Sequence, residues 1–540
     1  MAKCPLDARY WKRILQEEGF PPRFQTWLLR TIKEGVDLGY RGGEQDHVLA
    51  RRERTAQETD LLAAQYKREV ALRRVVCTGK RRPWGELFKK FFVSSTYTIP
   101  KKRLIGQPQK WRLIHNLSSH TEGRGRSINA GILKESFPVT YPSISTAAHL
   151  LFCSAPRGCV VWGRDLKEYY RHLMINPAYW WCTGTRLEEN FYFDCYCPFG
   201  ARSMPAIFQR LSDAIRVIML RRTPVGALLG MLDDFLGVVY RNPGETDANL
   251  LLRGRQSAKA FDQELVKMGI AKQAKKDSPP DWTITWLGFI LDTKHHTLGI
   301  PESKQQALLQ KFQTEFMADG AWQDFVDTAA LEKLVGTLCH FSQTWPLGKT
   351  LLWPLYKLLN AYRLYTPDGK PYIRSVKVTL GGECKKALDE WYMRICTHGL
   401  RRKFKGCRGT HSVTRLEVWL DRRNRRQKGR LVRLISPWGR DIGEPSNIAA
   451  LAGRRPMARV VTMAIKLLSR FLDRNVERCG EVVEVITNVG EFATYIMKDC
   501  YPKGLERQSY VDSIAIHRRL EEGGEEQVQY PRDLKSYLIY

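Results

Sequence analysis

The alternation of apolar and polar residues predicts a sheet flanked by helices in the middle of the chain. Short apolar runs at 159–166, 190–196 and 227–239 are rich in β-branched and aromatic residues, which is typical of buried strands. Helical spacing of apolar residues at 205–220 and 247–268 predicts two helices. Strands that alternate with helices in this way predict an α+β fold with helices on one face of the sheet.

The regions on either side of this segment are predicted from the same spacing. Residues 1–85 are rich in charged and helix-forming residues, and 55–76 have helical spacing. Residues 91–165 alternate short β-like runs with turn residues, 282–291 resemble a strand, and 303–365 are predicted to be helical. The apolar residues spaced for one buried helix face are Leu61, Leu62, Tyr66 and Val70 in the first region and Leu331, Leu334, Leu338 and Phe341 in the last.

Two adjacent aspartates, Asp233 and Asp234, interrupt the apolar region at 227–239. Carboxylates are seldom left inside an apolar core unless they are paired or bind a metal. A hairpin with two carboxylates at its tip is one half of a two-metal phosphoryl-transfer site, and Asp165, at the end of an earlier strand, is a candidate for a third carboxylate. An Asp-Asp pair alone is more often a surface turn, so the surrounding motifs decide between the two interpretations.

Composition favours a nucleic-acid partner. The 540 residues include 87 Lys+Arg and 56 Asp+Glu, a formal charge of +31, and such an excess is suited to phosphate polyanions, the alternative being a merely basic surface. The 13 cysteines form no Cys-x-x-Cys pair, which argues against a zinc ribbon. We find no signal peptide and no apolar run of about 18 residues, so we expect an intracellular protein of the cytoplasm, the nucleus or both, without a membrane partner.

Six segments in order along the chain resemble the motifs of reverse transcriptases, with Met231 where that family usually has tyrosine. They are 99–102 with 110–114, 165–170, 197–200 with 204–209, 231–234, 269 with 275–276, and 286–289. Three further segments, at 28–42, 112–129 and 331–338, are most similar to the polymerases of tyrosine-recombinase retrotransposons of the DIRS and Ngaro type. The resemblance implies a right-hand polymerase that uses dNTPs, an RNA template, a DNA primer and the resulting RNA–DNA hybrid.

The resemblance also assigns the catalytic and metal-binding roles. Asp165, Asp233 and Asp234, with the backbone carbonyl of Leu166, would hold two Mg²⁺ ions, or Mn²⁺ in their place. Lys276 would donate a proton to the departing pyrophosphate.

Other residues of these motifs are expected to bind the nucleotide and the primer. Arg112 would bind the triphosphate together with Lys102, for which Lys101 is an equal candidate. Tyr170 would exclude a 2′-hydroxyl as a steric gate. Phe199 and Gly200 are expected to lie against the nucleotide. The segment expected to grip the primer end is Leu287, Gly288 and Phe289.

The expected domains are an N-terminal basic helical extension (1–85), fingers (86–160), a palm (160–300), a thumb (301–365) and a final region (366–540). The final region resembles a degenerate ribonuclease-H-like or connection domain. Asp421 is its candidate first acid, 459–465 lacks the expected glutamate, and Asn488 replaces an expected aspartate. We therefore predict that this region has no ribonuclease H activity. It is either a connection domain that binds duplex or a decayed remnant without a role.

The function expected from the resemblance is RNA-directed and DNA-directed DNA synthesis. The rival enzyme is a viral RNA-dependent RNA polymerase. Members of that family resemble one another in having a second aspartate at the position of Tyr170 and an asparagine in the helix at 205–211, and this chain has neither. The non-enzyme alternative is a nucleic-acid-binding scaffold on an inactive polymerase fold. The intact acidic and basic motif residues argue against it, and the oligomeric state is left open.

Overall fold

The computed structural model describes residues 4–43, 47–48, 54–81, 83, 87–100, 109, 111–119, 126–153, 155, 157–365 and 371–404, with the strands at 413–420, 430–435, 482–487, 514–518 and 527–528. The chain forms two compact units. The first consists of Met1–Tyr141, Trp162–Val239 and Leu251–Pro280, and the second of Pro142–Val161, Tyr240–Leu250 and Asp281–Tyr540.

The α-helices of the described residues lie in both units and on both sides of the central segment. They are Ala8–Glu17, Pro22–Glu34, Ala56–Ala71, Ile144–Ala148, Met204–Arg222, Asp247–Met268, Glu302–Lys311, Thr328–Phe341, Pro346–Leu351, Trp353–Ala361 and Gly382–His398. None of the helices in the described part of the chain has both the length and the apolar character needed to cross a bilayer.

Two sheets carry the strands that lead to the aspartates and to the segments around them. The first has the strand order His47–Val48, Phe92–Pro100, Gly184–Leu187, Asn190–Asp194 and Val75–Gly79, with Trp111–Asn116 antiparallel to Phe92–Pro100. The second has the order Ser278–Asp281, Cys159–Asp165, Asp234–Tyr240 and Ala227–Met231.

The second unit has further sheets of its own. A four-stranded antiparallel sheet contains Thr283–Trp286, Phe289–Asp292, Thr297–Gly299 and Arg401–Lys403. Three two-stranded sheets pair Met317–Ala318 with Ala321–Trp322, Phe325–Asp327 with Lys377–Thr379, and Arg363–Tyr365 with Pro371–Ile373. A five-stranded sheet has the order Arg430–Ile435, Val413–Leu420, Val482–Thr487, Ile514–Arg518 and Gln527–Val528.

This mixture of helices and sheets confirms the predicted α+β class. In the five-stranded sheet Val413–Leu420 is antiparallel to Arg430–Ile435 but parallel to Val482–Thr487. Asp421, residues 459–465 and Asn488 lie outside the described residues. The ribonuclease-H-like interpretation of 366–540 therefore stays a prediction, as do the domain boundaries.

The helix predicted over 55–76 is shorter than expected. Thr55 caps its start by accepting a hydrogen bond from the Glu58 amide, but the helix ends at Ala71, and Arg73 adopts a left-handed conformation (φ 56°). Residues Val75–Gly79 then form a strand beside Asn190–Asp194. The predicted buried face is largely confirmed, because Leu62 and Tyr66 are buried and Val70 is partly so, whereas Leu61 is half-buried.

Two other predictions were partly wrong. The apolar run 282–291 is an antiparallel hairpin, because Leu287 and Gly288 both have positive φ (48° and 84°), the geometry of a tight two-residue turn. Region 303–365 is interrupted by short strands between Met317 and Asp327. The four residues predicted to line one face of Thr328–Phe341 are all buried.

The sheet that carries the aspartates is supported by an aromatic core. Trp162 contacts Phe261 with ring centroids 5.0 Å apart, and Phe235 contacts the same ring at 5.5 Å. The Trp162 indole N–H donates to the Ser257 hydroxyl at 3.2 Å, so helix Asp247–Met268 is fixed against the strand. Each of these fully buried rings contributes roughly 1.5–3 kcal/mol of burial energy. The two strands that carry Asp165 and Asp234 are thus packed against a buried aromatic core.

Candidate active site

Asp165 and Asp233 are brought together by the pairing of neighbouring strands. Cys159–Asp165 lies next to Asp234–Tyr240 in the sheet, and the Leu166 amide donates to the Asp233 carbonyl oxygen at 2.8 Å. Two carboxylates that are 68 positions apart in the sequence (233 − 165) therefore share one site. The structure confirms that the Asp-Asp pair is at a hairpin tip beside the end of the earlier strand.

The hairpin tip is a two-residue turn. Met231 pairs with Asp234, which leaves Leu232 and Asp233 as the turn, and Leu232 has a positive φ of 54°. A branched side chain in this conformation costs about 1–3 kcal/mol and persists only where neighbours fix it. The turn therefore needs support from outside the hairpin.

That support comes from helix Met204–Arg222. The Gln209 side chain accepts from the Leu232 amide at 2.9 Å and donates to the Gly230 carbonyl at 2.9 Å. The Ser212 hydroxyl donates to the Leu232 carbonyl at 2.7 Å. Both backbone groups of the strained residue are therefore satisfied by one buried helix face, and Asp233 is presented in a fixed position.

The electrostatics of the two carboxylates suit a cation. Burial and then the nearby charge of Asp165 raise the pKa of Asp233, while Lys276 and Arg112 act in the opposite direction. The Lys276 ammonium donates to the Asp165 carboxylate at 2.7 Å, and its side chain is 62% exposed. Hard carboxylate oxygens that repel one another are the donor set that Mg²⁺ prefers.

The third predicted ligand is not gathered with the other two. Within the part of the chain that the structure describes, no group of three or more His, Cys, Asp or Glu side chains is arranged to hold a metal ion. Asp234 starts the second hairpin strand and is half-buried. Asp165 and Asp233 thus fit a cation, whereas a part for Asp234 or for the Leu166 carbonyl stays a prediction.

Lys276 is positioned by a loop that is bonded to the Asp165 strand. The Gln273 amide donates to the Asp165 carbonyl at 2.7 Å, and the Lys167 amide donates to the Ala271 carbonyl at 2.8 Å. A short 3₁₀ helix, Ala274–Lys276, follows directly and places the lysine beside Asp165. Lys276, the candidate proton donor, is therefore in contact with the acidic site, and its catalytic role stays a prediction.

An aromatic cluster adjoins the carboxylates. Tyr170 is 8% exposed, and its ring centroid lies 4.9 Å from Phe199 and 4.5 Å from Phe208. Burial, followed by nearby ionisable groups that include Asp233, raises the pKa of Tyr170, so the phenol stays neutral. The Arg112 guanidinium lies over the Phe199 ring at 5.2 Å. Three residues predicted to bind nucleotide, Arg112, Tyr170 and Phe199, thus form one continuous surface.

Gly200 lies where no side chain fits. Its φ is 124°, and a Cβ built on it would be 1.9 Å from the His115 carbonyl oxygen. The Asn129 side chain holds this loop, because it donates to the Gly200 carbonyl at 2.8 Å and accepts from the Arg202 amide at 2.8 Å. The His115 amide donates to the Phe199 carbonyl at 3.3 Å, which joins the loop to the strand Trp111–Asn116. The loop at Phe199 is therefore fixed against the strand that carries Arg112.

The remaining predicted site residues lie outside the described residues or in the second unit. Lys101 and Lys102 lie outside the described residues. Leu287 and Gly288 form a hairpin turn in the second unit and Phe289 begins the strand that follows it. The Lys304 ammonium donates to the Gly288 carbonyl at 3.1 Å. Their predicted part in gripping a primer is untested.

Sequence reasoning missed the supporting residues Gln209, Ser212, Asn129 and Glu168. Gln209 and Glu168 lie inside recognised motifs, and Asn129 lies in a segment that carried the closer resemblance. Gln209, Ser212 and Asn129 bond to backbone groups 20 to 73 positions away. Glu168 accepts from the side chains of Arg68 and Arg74, 100 and 94 positions upstream, and no local pattern in the sequence reveals such contacts. For Gln209, Asn129 and Glu168 the available signal was their presence inside those segments, whereas Ser212 lies outside them.

No protein-family model matches this chain, and no curated protein sequence matches it. Similar solved structures include the foamy viral protease-reverse transcriptase dRH with double-stranded DNA (14% identity, TM-score 0.45, 96% of this chain and 82% of that chain). The foamy viral protease-reverse transcriptase with an RNA/DNA hybrid is similar at 12% identity and a TM-score of 0.47, over 96% of this chain but 64% of that chain. The same viral protein with double-stranded DNA is similar at 14% identity and a TM-score of 0.43, over 96% of this chain and 98% of that chain. Likeness this distant says nothing about activity, so function has to be inferred from the site itself.

Proposed function

We propose that this protein is an RNA-directed and DNA-directed DNA polymerase, the reverse transcriptase of a retroelement of the tyrosine-recombinase type. The observation that carries the proposal is one site in which Asp165 and Asp233 adjoin, Lys276 contacts Asp165, and Tyr170 packs alongside. A nucleotidyl transfer needs charge stabilisation at phosphorus, a proton for the leaving group and a shaped sugar pocket. This set of side chains provides groups suited to each.

Asp165 and Asp233 would hold the catalytic Mg²⁺ or Mn²⁺ ions, with Asp234 and the Leu166 carbonyl as further ligands. Ions bound there would stabilise negative charge on the attacking 3′-oxygen and the leaving pyrophosphate oxygen. Our assignment of Asp165 and Asp233 is supported by their mutual repulsion, which a cation would relieve. Lys276 would leave Asp165 and donate the Nζ proton to pyrophosphate.

Arg112 would neutralise the triphosphate, since its guanidinium is exposed and oriented by the Phe199 ring. Tyr170 would lie under the sugar and exclude a 2′-hydroxyl, which selects deoxynucleotides. The template, primer and hybrid duplex would be held by the basic surplus, because 87 Lys+Arg against 56 Asp+Glu is suited to phosphate backbones.

Primer extension on poly(rA)/oligo(dT) with Mg²⁺ tests the proposal. The wild-type chain should incorporate dTMP, and Asp233→Asn should lower the rate about 10³-fold, since each catalytic metal supplies several kcal/mol of transition-state stabilisation. Glu34→Gln is the matched control, because Glu34 is an exposed acid whose partner is the neighbouring Arg30. No incorporation by the wild type would favour the inactive-scaffold alternative, and full activity in Asp233→Asn would show that the site is misplaced.

A further inference from the structure

The loop between Asp165 and Tyr170 contains a strained residue that the proposed chemistry does not use. Glu168 adopts a left-handed backbone conformation (φ 49°), although it is not glycine. Its carbonyl accepts from the Arg171 amide at 2.7 Å, which closes a tight turn just before the helical segment that bears Tyr170. A conformation of this kind persists only where surrounding contacts enforce it.

Those contacts come from two arginines that lie far upstream in the chain. The Arg74 guanidinium donates to one carboxylate oxygen of Glu168 at 2.6 Å, and the Arg68 guanidinium donates to the other. The Glu168 and Arg74 side chains are 28% and 21% exposed, so this pair is better shielded from solvent than an ordinary surface ion pair. Burial opposes ionisation of Glu168, but the two arginines lower its pKa to about 2, so the carboxylate is charged throughout the neutral range.

Arg74 is itself fixed by the way in which helix Ala56–Ala71 ends. The left-handed Arg73 donates its amide to the Val70 carbonyl at 2.9 Å, and the Arg74 amide donates to the Glu69 carbonyl at 2.9 Å. This hydrogen-bond pattern terminates a helix and reverses the chain direction. The Arg74 carbonyl then accepts from the Cys195 amide at 2.9 Å, so the residue is fixed on both sides of its backbone.

A second ionic contact ties the same helix to the same loop. Arg171 donates to the Asp194 carboxylate at 2.5 Å, and its Nε lies 3.6 Å from a carboxylate oxygen of Glu69. All three side chains are at most 12% exposed. The loop from Asp165 to His172 is therefore held at Glu168 and again at Arg171 by a helix of the N-terminal region.

We propose that Arg68 and Arg74, acting through Glu168, are positioning residues that set how strongly the site selects deoxynucleotides over ribonucleotides. The proposal rests on the proposed polymerase function. Glu168 lies three residues after Asp165 and two before Tyr170, so a shift of its turn moves the ring that excludes the 2′-hydroxyl and the acid that would bind metal. The N-terminal region thereby helps to position Tyr170 in the nucleotide site.

Single-nucleotide incorporation by the full chain tests this proposal. In Arg68→Ala/Arg74→Ala, the ratio of kcat/KM for dTTP to that for UTP should fall at least about tenfold, with a higher KM for dTTP, because displacements near 1 Å can cost up to a hundredfold. Arg74→Lys keeps a positive charge beside Glu168, so its ratio of kcat/KM values should lie between those of the double alanine variant and the wild type. Arg222→Ala is the matched control, since it also breaks ion pairs with the N-terminal region, at Glu17 and Glu18. Arg222 is roughly 20 Å along its helix from Gln209, and the ratio should stay within about twofold.

Hydrogen exchange of the amides at 165–172 provides a readout that does not require activity. The double arginine variant should exchange at least about tenfold faster in this loop, and Arg222→Ala should not. An active double variant with the wild-type ratio and unchanged loop protection would overturn the proposal, even if its thermal midpoint fell. A wild-type chain without incorporation refutes the polymerase function and with it nucleotide selection. Faster loop exchange in the double variant would then still support the positioning contact, and unchanged exchange would overturn it as well.

Discussion

Gly200→Ala is expected to damage the nucleotide site by pushing two of its segments apart. The added Cβ would lie 1.9 Å from the His115 carbonyl oxygen, whereas real Cβ contacts essentially never fall below 3.0 Å. The loop and the strand must therefore separate by 1.1 Å (3.0 − 1.9) or more. Because Phe199 contacts both Tyr170 at 4.9 Å and Arg112 at 5.2 Å, the separation displaces the whole surface.

The magnitude follows from that displacement. A misplacement of about 1 Å near reacting groups can cost about a hundredfold in rate, and the positive φ adds about 1–3 kcal/mol of backbone strain. We expect kcat/KM for dTTP to fall about a hundredfold, with a lower thermal midpoint. Single-nucleotide incorporation and thermal unfolding measure the two effects.

Gly336→Ala is the matched control for this substitution. Gly336 lies within helix Thr328–Phe341, and a Cβ there would meet nothing within 4 Å. The control should leave kcat/KM unchanged and raise stability by up to about 1 kcal/mol, since alanine is the better helix former. A Gly200→Ala protein with wild-type kcat/KM would refute the reasoning that this close approach shapes the nucleotide surface.

Three further predictions follow from the charges of the site. Lys276→Ala should lower kcat about 10²- to 10⁴-fold, because the general acid is lost. The free energy of unfolding should change by less than about 0.5 kcal/mol, because the Lys276 side chain is 62% exposed. A large loss of stability with a normal kcat would contradict this prediction. Asp233 has a raised pKa when folded, so its charge opposes folding as pH rises; Asp233→Asn should therefore raise the metal-free thermal midpoint at pH 7, and a lower midpoint would count against that reasoning. Glu168 has a lowered pKa, so the stability it contributes is present above its ordinary pKa of 4.5 and is lost as pH falls toward about 2. The gap in thermal midpoint between wild type and Glu168→Gln should consequently narrow from pH 7 to pH 3, whereas a constant gap would show that the arginine contacts do not lower this pKa.

The acidic site was predictable because its signals are local. Two carboxylates inside an apolar run cost free energy unless they are paired or bind a metal. The structure confirms that Asp233 is at a hairpin tip beside Asp165. Motif order alone singled out Lys276, and the structure places its ammonium in contact with the Asp165 carboxylate, while its part in proton transfer stays a prediction. Neither inference required knowledge of packing.

The supports of the site could not be predicted, because they depend on contacts between distant segments. Gln209 and Ser212 hold a turn more than 15 positions away, and Arg74 binds Glu168 across 94 positions. The early end of helix Ala56–Ala71 was missed since Arg73, not glycine, takes the left-handed position. The Leu287-Gly288 turn, in contrast, had a visible signal, because a glycine inside a strand-like run often marks a hairpin.

The central claim is that Asp165 and Asp233 hold the metal ions of a DNA-synthesising site. A structure of the full chain with an RNA–DNA template–primer, a non-hydrolysable dNTP and Mg²⁺ tests it most directly. We predict two ions about 4 Å apart, both ligated by these two carboxylates and by the nucleotide phosphates. Nucleotide bound without ions at Asp165 and Asp233, or ions ligated by other residues, would contradict the claim.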